Sequence, residues 1–464
     1  MHALGLDIGT TTLSAIVVDA SSGSVLASCT LPNNTFIKDQ PWARIQDANE
    51  IWNKVQALVE DFTARYPDIQ SIGLTGQMHG ILYVDAAGYA VSPLITWQDQ
   101  RGKLSHRDGQ SYAELLSMQT GYSMSTGYGM TSHFYNQQNN MVPKSASKLC
   151  TIQDYIGMRL AHCTAPVMHA SNAASIGLFN IEEGVFDVSA LRRAGMEEAL
   201  LPNVTGKTGL LGKTPCGMDV SIAIGDNQAS FIGSVAHAEN SVLVNMGTGG
   251  QVSALVKEYC TCEHFETRPC IDGRFLLVGF SLCGGSAYAL LERFLREVAA
   301  LAGASSAPLF EAMNRLAQAP CSCADPLLVS TLFAGTRKQP QARGSIQNIG
   351  VDNFTPQCLI QGVLHGMVDE LYQPYLQIAK HMEKTPCVLV GSGNGVRKND
   401  ALKRAFSQVF DMPLVMSKAT EEAAYGACLF AFTASGAYAT IESAQQIIQY
   451  EANELLTSAP NKYA

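Results

Sequence analysis

What this chain lacks narrows it before any motif is considered. No apolar stretch reaches the roughly 18 residues that span a bilayer as a helix, so no membrane partner is expected. No basic cluster appears and the formal net charge is −9, which argues against nucleic acid. The first apolar run begins within a few residues of Met1, leaving no room for a cleaved leader. The 13 cysteines follow no framework spacing, and an odd number of scattered thiols points to a reducing, cytoplasmic setting. Cys260-x-Cys262 near His264, and Cys321-x-Cys323, are tighter than usual zinc pairs and have no matching second pair, so no zinc is expected there. Low-complexity sequence is absent as well.

What is present suits an α/β enzyme: 47% hydrophobic and 15% charged residues, with 40 glycines. At 464 residues the chain exceeds one ordinary core, so two domains of similar size are expected. Two short stretches organise them. Residues 4–19 are an apolar run ending at Asp7, a turn through Gly9, Thr10, Thr11 and Thr12, and a second apolar run ending at Asp19. Residues 241–256 repeat the plan around Gly247, Thr248, Gly249 and Gly250. Each predicts a β-hairpin. Small turn residues let backbone N–H groups surround an anion, and Thr hydroxyls add donors. Two copies, one in each half, suggest a duplicated fold whose halves face each other across a nucleotide.

Between the hairpins, apolar spacing predicts a helix over 47–65, with Asp47 as N-cap and Glu50 completing a capping box. A strand over 72–74 leads into Thr75-Gly76-Gln77-Met78-His79-Gly80. A strand over 81–84 leads to Thr96-Trp97-Gln98-Asp99-Gln100-Arg101. Residues 188–220 resemble a connection punctuated by Gly and Pro, and Ile222–Ile224 form a strand ending at Gly225-Asp226. In the second half, helices are expected over 286–302, 305–318, 356–382, 399–410 and 421–433, with strands at 275–280, 327–332 and 388–390.

Asp226 ends a buried strand at a turn into a helix near the domain junction. A general base needs a carboxylate on such a rigid element; the alternative is a plain helix N-cap. Asp7 is placed to organise Mg²⁺ beside phosphates, or else to cap its own turn. Gln77, Met78, His79, Trp97, Asp99, Arg101 and Asp154 would suit a polyol, with amides and carboxylates for vicinal hydroxyls and an aromatic plane for the C–H face. Singly, Trp97 could be core, His79 a turn residue, and Asp99 with Arg101 a surface ion pair. Gly391-Ser392-Gly393-Asn394-Gly395 follows a strand, but Val396 stands where a dinucleotide fingerprint has its third glycine. These glycines therefore suit close approach to an adenosine better than a hydride-transfer cofactor.

With residues 75–80, 96–101, 171–175, 225–230 and 391–406 in view, the sequence resembles the FGGY family of carbohydrate kinases, in the actin-like ATPase superfamily. The likeness runs from GLDIGTTT at the start to EEAAYGACLFA near the end. It implies two ribonuclease-H-like domains, residues 1–236 and 237–464, with ATP, Mg²⁺ and sugar in the cleft between them. It implies Asp226 as the base, Asp7 for the metal, and Gly9, Thr10, Thr11, Gly247 and Thr248 around the phosphates. Gly391, Gly393 and Asn394 would border the adenosine, and Gln77, Met78, His79, Trp97, Asp99 and Asp154 would line the sugar. The acceptor implied is a ketose, sedoheptulose before xylulose. Two positions depart from that pattern: His169-Ala170 precedes Ser171 where an acidic residue is expected, and Cys283 stands in place of an amide. A non-catalytic sensor on the same scaffold is the rival from another class, and it would not need both Asp7 and Asp226. The sequence leaves the oligomeric state open, a homodimer included.

Overall fold

The computed structural model describes residues 1–106, 109–303, 307–319, 325–336 and 339–451. Cys321, Cys323 and the first residues of the helix expected over 305–318 lie outside them. The chain forms two compact units. Among the described residues, one comprises Met1–Ala236, Arg268–Phe275 and Glu421–Gln449; the other comprises His237–Thr267, Leu276–Thr420, Tyr450 and Glu451.

The first unit is built on a seven-stranded sheet. Its path is Leu210–Lys213, Asp219–Ser221, Ile69–Gly76, His2–Ile8, Thr12–Asp19 and Val25–Pro32, and Ile224–Gly225 pairs with the end of Ile69–Gly76. Central strands covered on both faces read as continuous apolar runs, and Ala3, Leu4, Leu6 and Ile8 are all buried. The helix Ala48–Arg65 buries Ile51, Val55, Leu58, Val59 and Phe62, at the predicted spacing. Asp47 caps it by accepting from the Asn49 and Glu50 backbone N–H groups. The reciprocal half of the expected capping box is not formed: the Glu50 carboxylate lies 3.5 Å from Lys54 Nζ.

Glycines let a second helix settle onto this sheet. Glu422–Ala434 is buried from Ala424 through Phe432, and two sheet glycines lie directly against its backbone. A Cβ at Gly5 would fall 2.1 Å from the Ala424 carbonyl oxygen, and one at Gly73 would fall 1.9 Å from that of Ala427. The helix Asp226–Ser234 approaches it equally closely, since a Cβ at Gly426 would lie 1.9 Å from the Ala229 oxygen.

Residues 188–220 correct the sequence reading. They contain the short helix Val188–Arg193 and two strands, Leu210–Lys213 and Asp219–Ser221, that extend the main sheet. Strands of three or four residues around a Pro-Cys-Gly turn are too short to show a period of two.

The second unit repeats the sheet plan. Its six strands run Glu266–Pro269, Phe275–Ser281, Gly250–Val256, Ser241–Met246, Val388–Ser392 and Leu414–Met416. In the first unit, His2–Ile8 lies between an antiparallel hairpin partner and a parallel strand, Ile69–Gly76. In the second, Ser241–Met246 likewise lies between its hairpin partner and a parallel strand, Val388–Ser392. One sheet plan is used twice. Among the described residues, no helix is long and apolar enough to cross a membrane.

Candidate active site

In open α/β sheets, ligands bind beyond the carboxyl ends of parallel strands. In the first unit those ends are Ile8, Gly76 and Gly225, which are in register: Ile8 opposes Gly76, and Gly76 opposes Gly225. Asp226 follows at once as the first residue of the helix Asp226–Ser234. Its carboxyl is half-buried and pushed up to about 6, chiefly by burial; the Asn227 backbone N–H and the Arg268 guanidinium act in the opposite direction. Arg268 also donates to Asn227 Oδ1 at 3.1 Å.

Two backbone contacts hold the Asp226 turn from behind. Ser171 Oγ accepts from the Gly225 N–H at 3.0 Å, and Asn172 Nδ2 donates to the Ala223 carbonyl at 3.1 Å. Ser171 and Asn172 belong to the helix Ala170–Ile176, capped by the buried His169. Met78 packs on the same link, because a Cβ on Gly225 would lie 3.0 Å from Met78 Cε.

Asp7 stands one residue from the end of His2–Ile8. Burial, then the negative charges of Asp226 and Glu421, raise its carboxyl to about 7. A divalent cation would relieve the charge that Asp226 and Glu421 impose on Asp7, although among the described residues no three acidic, His or Cys side chains are grouped closely enough to hold a metal by themselves. Asp7 is thus suited, as a single carboxylate, to organise Mg²⁺ through water and substrate phosphates rather than within an all-protein cage.

The turn that follows is fixed by side chains from elsewhere in this unit. Asn33 Nδ2 donates to the Gly9 carbonyl at 2.8 Å, and the Asn33 N–H donates to the Thr11 carbonyl at 2.8 Å. The Thr10 hydroxyl donates to Gln77 Oε1 at 3.1 Å and accepts from Trp97 Nε1 at 3.0 Å. Trp97 is therefore not core: it is 47% exposed, with its indole N–H tied to the turn and ring surface open to a ligand. His79 adopts φ +73, a left-handed conformation that a non-glycine residue holds only when its surroundings enforce it. Here its N–H donates to Ser175 Oγ, its Nδ1–H donates to the Ser175 carbonyl at 2.6 Å, and its ring stacks on Tyr128 with centroids 5.0 Å apart.

Two expected sugar contacts are placed differently. Asp99 is fully buried and is not part of a surface pair. Its Oδ1 accepts from Arg101 Nε at 2.7 Å and from the Arg101 N–H at 3.0 Å, while Oδ2 accepts from the Arg44 N–H at 2.9 Å. Asp154 is also buried. It occupies the third position of the helix Ile152–Leu160 in a capping box with Thr151, and its other oxygen accepts from Asn172 Nδ2 at 3.1 Å. Burial raises this carboxyl to about 7, with the Thr151 and Asn172 bonds opposing the rise. Both acids therefore support the elements beneath the site.

In the second unit, the Gly247–Thr248 turn is exposed. Its carbonyls accept from the N–H groups of Gly284, Gly285 and Ser286 at 2.8–3.1 Å, where the helix Gly285–Leu301 begins. Gly391 is the penultimate residue of the adjacent parallel strand. Gly393, at φ +82, turns the chain against this hairpin, and a Cβ at Gly395 would lie 2.5 Å from the Met246 oxygen. Asn245 Nδ2 bonds Ser392 Oγ at 2.6 Å. Gly247, Thr248, Gly391, Gly393 and the exposed Asn394 thus meet at one end of one sheet. Cys283 is buried beside them, its Sγ 3.2 Å from the Ala334 N–H.

Residues 2–233 match the N-terminal domain of the FGGY family of carbohydrate kinases, and residues 242–435 match its C-terminal domain. The chain belongs to that family. It is 29% identical to sedoheptulokinase of Mus musculus, over 92% of this chain and 96% of that protein. It is 22% identical to gluconokinase of Bacillus subtilis (strain 168), over 96% and 90%. Among solved structures it superposes on gluconate kinase from Lactobacillus acidophilus with TM-score 0.81 at 20% identity, covering 97% of this chain and 92% of that one. Ligand-bound xylulose kinase from the same organism gives 0.79 at 20% identity, over 97% and 93%. These structures share its fold.

Several residues around the site escaped the sequence reading: Asn33, Gln46, Asn172, Arg268 and Glu421. None lies in a glycine-rich or hydroxyl-rich turn, so none gave a local signal. Asn172 and Glu421 sat in stretches that carry the family likeness, residues 171–175 and EEAAYGACLFA, without a role assigned to either.

Proposed function

We propose that this chain transfers the γ-phosphoryl group of ATP to the terminal hydroxyl of a ketose, with sedoheptulose as acceptor before xylulose, feeding the pentose phosphate pathway as sedoheptulose 7-phosphate. The carrying observation is Asp226, a carboxyl on a rigid strand-to-helix turn, at about 6. At neutral pH it is ionised, yet it remains a stronger base than an ordinary carboxylate. As the sugar hydroxyl loses its proton to Asp226, its oxygen forms a bond to the γ-phosphorus. The bond from that phosphorus to the bridging oxygen breaks, and the electron pair leaves with ADP. Catalysis of such a transfer is mostly positioning and charge stabilisation.

Thr10, Thr11 and Gly9 in the first unit, and Gly247 and Thr248 in the second, would hold phosphates through backbone N–H groups and hydroxyls. Mg²⁺ beside Asp7 would neutralise the charge that develops on them. Gly391, Gly393 and Asn394 would border the adenosine. Trp97 offers a face for the sugar's C–H groups, His79 offers a polar contact, Met78 walls the site beside Gly225, and Gln77 holds the Thr10 turn in place. Asp99 and Asp154 act from behind. Similarity to sedoheptulokinase along 92% of the chain supports the acceptor, and the scattered thiols support a cytoplasmic location.

A panel of ketoses, aldoses and polyols assayed with ATP, reading ADP release, tests this. Sedoheptulose should give the highest kcat/KM. Preference for xylulose or an aldose by roughly tenfold or more would overturn the acceptor, and ADP release with no sugar in the panel would overturn the kinase reading.

A further inference from the structure

We propose that Gln46 is a positioning residue which locks the acceptor's aromatic platform to the phosphate turn through a closed ring of hydrogen bonds; this rests on the kinase reading above. Gln46 ends the two-residue strand Ile45–Gln46, just before the N-cap Asp47, and is fully buried. Its Nε2 donates to the Thr10 carbonyl at 2.9 Å, and its Oε1 accepts from Gln77 Nε2 at 3.0 Å. Gln77 Oε1 accepts from the Thr10 hydroxyl at 3.1 Å, which closes the ring across three separate segments. Thr10 Oγ1 accepts in turn from Trp97 Nε1 at 3.0 Å.

Donor meets acceptor at every link, and that fixes both amides. Turning either one over would set N–H against N–H or oxygen against oxygen. A buried polar ring satisfied in this way is rigid, and a partly satisfied one is costly. Gln77, only 4% exposed, thereby has both ends of its amide engaged inside the protein. Trp97 is the opposite case: its ring is open to solvent while its N–H is anchored on the turn. A sugar lying on Trp97 is thus set in register with the residues assigned to phosphate. Placement errors of about an ångström are enough to slow a transfer substantially. Gln46 touches neither substrate and acts only through Thr10 and Gln77.

The test is a double-mutant cycle on the full chain, with Gln46→Ala, Trp97→Phe and the pair, measuring kcat, both KM values and thermal stability. Gln46→Ala deletes two buried hydrogen bonds and should lower kcat/KM for sugar by roughly ten- to a hundredfold, with kcat falling as well as sugar KM rising. Trp97→Phe keeps the aromatic face and loses the N–H. Its effect in the Gln46→Ala background should be smaller than in the parent, because the ring it reports on is already open. Additive effects, or an unchanged kcat in Gln46→Ala, would overturn the ring while leaving the kinase reading intact. Failure of the parent chain to phosphorylate any sugar would overturn both. Should Gln46→Ala not fold, Gln46→Met, similar in length and lacking both donor and acceptor, takes its place in the cycle.

Discussion

Replacing Asp7 by Asn removes a charge and keeps the side chain's shape. Folding places this carboxyl in a half-buried position beside Asp226 and Glu421 and raises it from 3.8 to about 7. Because the folded value exceeds the unfolded one, the native chain binds the extra proton between about pH 4 and pH 7. The stability that goes with it is complete below that window and lost as pH rises through it. Above pH 7 the parent carries the full cost of the charge, and the Asn variant carries none. A shift of this size is at most about 4 kcal/mol. Screening by water at a half-buried site reduces that to roughly 1–2 kcal/mol. Asp7→Asn should therefore melt a few degrees higher than the parent at pH 8, with under half of that gain at pH 5. Millimolar Mg²⁺ should narrow the gap by stabilising the parent more than the variant, while phosphoryl transfer by the variant collapses. Thermal melts at the two pH values, with and without Mg²⁺, decide the matter. An equal gain at both, or a variant that melts lower at pH 8, would refute the idea that burial, with the neighbouring carboxylates, holds Asp7 up.

Asp226→Asn should keep sugar binding, measured by calorimetry, while kcat falls by roughly 10²–10⁴-fold; near-normal turnover would remove Asp226 from its role. The acid limb of kcat/KM should lie near pH 6, following Asp226. Arg268→Met should move that limb to higher pH, since it removes a cation that favours the ionised carboxylate. Gly73→Ala should prevent the first unit from closing or destabilise it severely, because the added Cβ would fall 1.9 Å from the Ala427 oxygen; a denaturation midpoint within error of the parent would contradict the close packing. Arg101→Met should cost about 3–5 kcal/mol in denaturant unfolding by leaving the fully buried Asp99 carboxylate without its partner.

Much of this fold was legible because its turns need particular residues. Both hairpins, the Asp47 cap and the helix it starts announce themselves through glycine, threonine and 3.6-residue spacing. The same holds for Asp226, which a short apolar strand delivers to a helix start. The sequence could not distinguish an acid facing a ligand from one facing the protein. Asp99 and Asp154 have the composition of a sugar site, and only tertiary placement reveals that Arg101, Arg44, Thr151 and Asn172 already occupy their oxygens. Gln46 was hidden for the converse reason: a glutamine one residue ahead of a helix cap looks solvated, and its partners Thr10 and Gln77 are 36 and 31 residues away. The strands at 210–213 and 219–221 were missed because they are too short for a period to emerge.

The helix Glu422–Ala434 has a consequence for how the molecule is made. Tyr425 Oη bonds the Gly23 carbonyl across 402 residues, and the Cys428 thiol reaches the Ala3 carbonyl across 425. The opening strands therefore emerge from the ribosome with bare glycines where that helix must lie, and wait about four hundred residues for their cover. Loss of the short stretch that carries this helix would thus expose the first-made strands rather than those beside it in sequence.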